Sequence, residues 1–175
     1  VRGNKGTSSF VNGLLLSGNE KLSATEISHQ IDLQGGFFES GITTENSVIS
    51  IYALKENMPN LVSFIKSSIQ EMSCAEKELN ELVQDKKQKF QVNLQKTRFL
   101  AQREFQKRIF ASNEVYSKVV TPDYYENVNR DELANFFKKN YLAGLTKVSL
   151  VGDFERNQVQ NFVEEFRSWA IDHKV

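Results

Sequence analysis

Residues 35–54 read GGFFESGITTENSVISIYAL, and this stretch decides the fold class. Two glycines open an apolar run, and the second half alternates apolar residues with serines, as strands with one buried face do. Polar residues at 43–46 separate the two halves. The pattern therefore predicts two antiparallel strands, 37–43 and 44–54, joined by a hairpin turn.

Outward from this hairpin, apolar residues recur with helical spacing. A Ser or Asn followed three residues later by a Glu marks several helix starts as capping boxes. The expected boxes are Ser23 with Glu26, Ser73 with Glu76, and Asn129 with Glu132. A third strand is predicted at 146–151. The predicted helices are 7–17, 23–33, 58–72, 74–95, 98–111, 129–141 and 155–171, with a short helical turn at Thr121-Pro122.

Many helices and few strands predict an α+β fold, in which helices cover one face of a largely antiparallel sheet. No Pro-, Gly- or Ser-rich linker divides the 175 residues, so residues 1–175 are expected to form a single αβ domain. On the last helix, Phe162 and Phe166 are expected to pack onto the sheet. Because three strands are few for so much helix, we expect further strands to precede Val1. Exposed edges of the short sheet would then favour self-association.

The charges balance, with 22 Lys and Arg against 22 Asp and Glu, so no overall basic field draws the chain to nucleic acid. The longest apolar stretch, 10–16, is too short to span a membrane. Between Asp85 and Arg108, eight basic side chains stand beside two acidic ones. We interpret this segment as a solvated helix face, with a docking surface for an acidic partner as the alternative. A single cysteine leaves the compartment undetermined.

Side chains that could carry chemistry are few. His29 and His173 stand far apart, and neither has a second histidine at helical spacing, so neither is expected to bind metal. Cys74 has no base partner in the sequence, and we interpret it as a small residue at a helix start. Ser8 and Ser9 lack the G-x-S-x-G context of a hydrolase nucleophile, and we interpret them as helix N-cap residues.

The order of segments nevertheless carries a resemblance that covers residues 6–166. In order they are GTSSFVNGLLLSGN, SATEISHQIDLQGGFF, the alternating strand, MPNLVSFIKSSIQ, KELNELVQDKKQKF, FLAQREFQKRIFASNEVYSKVV, DELANFFKKNYL and KVSLVGDF. Together they resemble the N-terminal-type domain of the insulinase/pitrilysin zinc metallopeptidases, the family that includes mitochondrial processing peptidase. The resemblance implies an α+β domain of that type.

The family's signature is His-x-x-Glu-His on the first helix, with a third zinc ligand, a Glu, on a later helix. The frame of the signature is retained at Gly6, Phe10 and Gly18. Within it, Ser9 stands for the first His, Asn12 for the Glu and Gly13 for the second His, while Gln88 falls near the later ligand. Zinc needs imidazole or deprotonated ligands, and an amide has no basicity to activate water. The resemblance thus implies a catalytically inactive domain.

No catalytic, metal-binding or cofactor-binding residue is assigned, and no cofactor is expected. The resemblance further implies that an active peptidase subunit or half pairs with this degenerate one, and that the two enclose a chamber for unfolded peptides. The second homologous domain of the parent is expected to lie outside this chain. Two alternatives stay open: a larger zinc endopeptidase whose intact motif lies elsewhere, and a purely structural homologue. An intact His-x-x-Glu-His in the parent or a neighbouring gene would distinguish them.

Overall fold

Nine helices and one two-stranded hairpin form the described part of the chain, residues 6–43, 45–142, 147–167 and 169 of a computed structural model. In chain order they are α1 (Thr7–Leu14), α2 (Ala24–Leu33), β1 (Phe37–Ile42), β2 (Ser47–Tyr52), α3 (Met58–Gln70), α4 (Glu76–Leu94), α5 (Thr97–Ile109), α6 (Glu114–Ser117), α7 (Pro122–Glu126), α8 (Arg130–Asn140) and α9 (Arg156–Arg167). The predicted α+β class is confirmed, and every predicted helix has a counterpart. None of the helices in these ranges is both long and apolar enough to cross a bilayer.

Strands β1 and β2 form the predicted antiparallel hairpin, in a register that places Phe37 opposite Tyr52. The turn is closed at Thr43, whose N–H donates to the carbonyl of Asn46 at 2.8 Å and whose Oγ1 accepts from the N–H of Asn46 at 3.0 Å. This reciprocal bonding explains why the polar stretch ends both strands: its side chains satisfy the backbone groups of the turn.

The two faces of the hairpin differ in their surroundings. Side chains of one face pack against the main core, namely Phe38, Ile49 and Ile51. Large apolar side chains of the other face are exposed, namely Phe37, Val48 and Tyr52. Within the described ranges neither outer edge of the hairpin has a neighbouring strand.

The third strand predicted at 146–151 was wrong over its described part, residues 147–151. Residues 147–151 have no strand pairing, and Thr146 lies outside the described residues. Val151 is 92% exposed and Val148 is also exposed. An apolar alternation forms a strand only where a neighbouring strand accepts its hydrogen bonds and a core covers one face, and this segment has neither in the described structure.

The main core is built around α1, where Phe10, Val11 and Leu14 are at most 1% exposed. Neighbouring helices complete this core with Ile27, Ile31, Leu61, Ile65, Ile69, Leu133 and Phe137. Helix α1 is therefore enclosed by other elements, and a side chain on it meets a different neighbour on each face.

Only one of the predicted capping boxes forms completely. The Ser23 N–H donates to the Glu26 carboxylate at 2.8 Å, and Ser23 Oγ accepts from the N–H of Glu26 at 3.3 Å. The prediction of a capping box at Ser73 was wrong. The Ser73 N–H donates to the carbonyl of Gly18 at 3.1 Å. Helix α4 begins only at Glu76 and has no side-chain cap. A tertiary bond thus takes the place of the local one.

The third predicted box is half formed. Asn129 Oδ1 accepts from the N–H groups of Asp131 and Glu132, as expected of an N-cap. The carboxylate of Glu132 instead accepts from Thr7 Oγ1 at 3.1 Å. This side chain therefore joins α8 to the start of α1.

The buried face predicted for the last helix is present in α9. Phe162 is 5% exposed, and its ring lies edge-on to Phe154 at 5.6 Å between centroids. Phe166 packs against the main core. The ring partner of Phe162 thus belongs to the segment before α9, whereas the prediction had assigned it to the sheet.

Candidate functional site

Helix α1 carries the three positions that the resemblance aligns with the zinc motif. It begins after Gly6, whose φ of 107° lies in the left-handed region, and a Cβ there would clash with the ring of Tyr124. No side chain caps this helix. The N-cap interpretation of Ser8 and Ser9 was therefore wrong, since both lie inside the first turn of the helix.

The side chain of Ser9 is bonded to a lysine of α4. Lys86 Nζ donates to Ser9 Oγ at 3.0 Å and lies 5.5 Å from the centroid of the Phe10 ring. Burial lowers the pKa of Lys86, while the neighbouring Asp85 charge acts in the opposite direction. A cationic side chain thus lies against Ser9, the position that the resemblance aligns with the first zinc-binding histidine.

The residue of α4 that lies beside Ser9 is Lys86. The resemblance had instead placed Gln88 near the third zinc ligand of the family. Two residues correspond to about 200° around a helix, so side chains 86 and 88 point to nearly opposite sides of α4. Gln88 is exposed accordingly. The side chain of α4 that contacts Ser9 is therefore a lysine, which cannot ligate zinc as an ammonium.

Gly13 meets α4 one turn further along α1. A Cβ on Gly13 would lie 3.0 Å from Leu82 Cδ2, which is closer than ordinary van der Waals contact. The glycine thus lets the two helices approach through Leu82. A histidine at this position would require Leu82 to move before its ring could fit.

Asn12 is buried, with 7% of its surface exposed, and ends a chain of hydroxyl groups. Ser47 Oγ donates to Asn12 Oδ1 at 2.6 Å, and the hydroxyl of Tyr141 donates to Ser47 Oγ at 3.0 Å. Burial raises the pKa of Tyr141, and its hydrogen bond with Ser47 opposes this. The Asn12 side chain therefore connects α1 to β2 and to the residue after α8.

These side chains do not fit a zinc ion. Ser9 offers a neutral hydroxyl bonded to a cation, Gly13 offers no ligand atom, and the Asn12 amide cannot act as a base. The Lys86 ammonium would repel a divalent cation at this place. In the ranges that the structure covers, no three His, Cys, Asp or Glu side chains form a group suited to a metal ion.

The other candidates from the sequence are not residues of α1. His29 is exposed on α2, and His173 lies outside the described residues. Cys74 is buried just before α4, and burial raises the pKa of its thiol although the charge of Arg130 lowers it. A protonated, buried thiol is unreactive, in keeping with a small residue at a helix start.

The basic segment divides into two parts. Helix α5 buries none of its residues, as predicted for a solvated face. The two acidic residues of the segment form exposed ion pairs on their own helices, Lys89 with Asp85 at 2.7 Å and Lys107 with Glu104 at 2.6 Å. Lys86 departs from this interpretation because it turns inward towards α1.

The sequence carries a signal for the inward position of Lys86. Leu79, Leu82, Val83 and Phe90 form the apolar stripe of α4, and residue 86 lies in the same stripe, four residues after Leu82 and four before Phe90. A single lysine within an apolar stripe indicates a partner on the facing helix. The interpretation of the whole segment as a solvated face grouped Lys86 with the surrounding charged residues and did not use this spacing.

Two family models match the chain. The model of insulinase (peptidase family M16) matches residues 2–123, and the model described as peptidase M16 inactive domain matches residues 127–169. The break between the matches falls within α7, at residues 124–126, although Leu133 of α8 and Phe10 of α1 share the main core. Because the first match alone covers more than half of the sequence, this chain belongs to the insulinase family of peptidases, peptidase family M16.

Proposed function

We propose that this chain is a non-catalytic homologue that pairs with an active zinc-peptidase subunit or half, and that the two enclose a chamber for unfolded peptides. The observation that carries the proposal is the hydrogen bond from Lys86 Nζ to Ser9 Oγ at 3.0 Å. It gives the motif helix a cation where the active family members need zinc ligands. Peptide hydrolysis must then be supplied by an intact motif elsewhere.

Retention of α1 as a packing element supports this proposal. Phe10, Val11 and Leu14 keep the helix in the centre of the core, while the intervening motif positions have become helix contacts and hydrogen-bonding groups. A partner of an active subunit needs the fold but needs no zinc site of its own. In this proposal residues 1–175 act as one αβ domain, because segments matched by both family models share a core.

The exposed face of the hairpin supports a partner. Phe37, Val48 and Tyr52 form an apolar row on a strand pair whose described edges are unpaired. Such surfaces are usually covered by another strand, helix or chain in a native assembly. We propose that the remainder of the parent or the active partner covers this face.

Purification of the native complex tests the proposal. The parent protein is tagged in its own cells and purified without denaturant, and every chain in the complex is sequenced. We expect an intact His-x-x-Glu-His in a partner chain or in another half of the parent, with chelator-sensitive hydrolysis of a quenched fluorescent peptide. Replacing the motif Glu by Gln in that partner is the matched control for the assay.

Each result leads to a different conclusion. Activity that depends on the intact motif of a partner or second half supports the pairing. A complex that contains no intact motif and does not bind a labelled unfolded peptide contradicts it and supports the purely structural homologue. Peptide hydrolysis that survives the Glu→Gln control in the partner would show that the chemistry comes from another site.

A further inference from the structure

The Ser9 hydroxyl has the surroundings of a nucleophile. Ser9 is partly exposed, so a small reagent in solution can reach Oγ. Its hydrogen bond within the described structure is with Lys86 Nζ at 3.0 Å, a distance suited to proton transfer between hydroxyl and amine. Ser8 precedes it on the same helical turn, forms no hydrogen bond to an amine of a described residue, and offers a matched control.

Lys86 has the surroundings of a base. It lies against the Phe10 ring, and no carboxylate in the described part of the chain forms an ion pair with it. The charged groups that act on it are Asp85 and Lys89 of its own helix, while α1 presents Ser9 and the Phe10 ring. Burial is the largest influence and lowers the pKa of Lys86, so more neutral amine is present near neutral pH than for a surface lysine.

We propose that Ser9 and Lys86 form a serine–lysine pair that accepts acyl groups from activated esters. Neutral Lys86 takes the proton of the Ser9 hydroxyl as Oγ bonds to the carbonyl carbon of the ester. The bond from that carbon to the leaving oxygen then breaks, and the leaving group departs as an anion. The products are acylated Ser9, the Lys86 ammonium and the released alkoxide or phenolate, so atoms and charges balance.

The position of Ser9 on the helix favours this step. The first helical hydrogen bond of α1 runs from the Phe10 N–H to the carbonyl of Gly6 at 2.9 Å, so the Ser9 N–H precedes the helical ladder. The positive end of the helix dipole stabilises negative charge that develops near this turn. Aryl esters suit the pair because the phenolate leaves as an anion without taking up a proton. The amine of a peptide bond, in contrast, must be protonated before it can leave.

The inference goes beyond the proposed function and does not depend on it. Partnership with an active zinc peptidase concerns peptides and an intact motif elsewhere. Acylation of Ser9 concerns this chain and esters, and zinc takes no part in it. A chelator therefore separates the two, since it should abolish peptide hydrolysis by the complex and leave ester acylation unchanged.

The experiment uses 4-nitrophenyl acetate with the purified chain, in the presence of chelator. We expect a burst of about one equivalent of nitrophenolate and a single acetyl group on Ser9, located by peptide mass spectrometry. Ser9→Ala should remove the burst, and Ser8→Ala should keep it. Lys86→Arg keeps the positive charge and the donor but cannot act as a base, so the burst rate should fall about 100-fold.

Folding is checked in each variant by circular dichroism, and Lys86→Arg keeps the test decisive if Ser9→Ala fails to fold. In the unmodified chain the burst rate should rise with pH as Lys86 loses its proton. Absence of a burst, an acetyl group on a lysine in place of Ser9, or an unchanged rate in folded Lys86→Arg would each overturn the inference.

Discussion

Ser47 Oγ lies 2.6 Å from Asn12 Oδ1, although 35 residues separate the two along the chain. The same serine accepts a hydrogen bond from the hydroxyl of Tyr141 at 3.0 Å. At the position aligned with the catalytic glutamate of the family, a buried amide therefore connects three separate segments. Asn12 therefore has a structural role, and its amide is not a side chain that binds zinc or activates water.

This contact predicts a stability cost for Asn12→Ala. The variant removes the acceptor of the Ser47 hydroxyl, and the loss of one such hydrogen bond costs about 0.5–1.5 kcal/mol. Urea denaturation of both proteins measures the difference. A double-mutant cycle with Ser47→Ala should give a coupling of at least about 0.5 kcal/mol, because the two residues share one bond. Strict additivity would show that this bond does not stabilise the fold.

The donor set of α1 predicts that the purified chain binds no stoichiometric zinc and cleaves no peptide. Ser9 and Gly13 cannot serve as the histidine ligands, and the Lys86 ammonium disfavours a divalent cation. Elemental analysis of protein purified without added metal, followed by zinc titration calorimetry, gives the answer. Tight one-to-one binding by the unmodified chain would refute the alignment.

Burial predicts a large effect for Phe162→Ala. The ring is 5% exposed and contacts Phe154, so its removal leaves a cavity that should cost about 3 kcal/mol. Val163→Ala is the control on the same helix, because Val163 is 44% exposed and should change stability by less than about 0.5 kcal/mol. Equal losses for both variants in a denaturant titration would invalidate the burial assigned to α9.

The exposed hairpin face predicts self-association of the isolated chain. Val48 is exposed on a strand whose described outer edge is unpaired, and a lysine there places a charge in any strand-to-strand contact. We expect light scattering to show a concentration-dependent increase in mass that Val48→Lys weakens and Val163→Lys does not. A monodisperse monomer at all concentrations would mean that this face does not associate.

The capping box of α2 predicts a pH-dependent contribution to stability. Hydrogen bonds from the Ser23 backbone and side chain lower the pKa of Glu26. The contribution is therefore present above the ordinary glutamate pKa of about 4.3 and is lost as the pH falls through the lower folded pKa. Glu26→Gln should be less stable than the unmodified chain at pH 7, and the difference should shrink at low pH. A difference independent of pH would rule out the ionised carboxylate as its source.

Local patterns predicted the parts of the fold that depend on local interactions. The spacing of apolar residues located the helices, and the serine alternation located the hairpin, because burial of one face requires a fixed period. The capping box at Ser23 formed since both of its bonds lie within four residues. The boxes at Ser73 and Asn129 lost bonds to tertiary partners, which no local pattern reveals.

By itself the sequence determined the α+β class and the family, since residue identity and spacing suffice for these. Tertiary structure alone decided which residue of α4 faces Ser9, which groups satisfy Asn12, and that residues 147–151 do not pair. These outcomes depend on the rotation of packed helices and on partners distant in sequence. The same alternation or charge can therefore be buried or exposed, according to the neighbour that folding supplies.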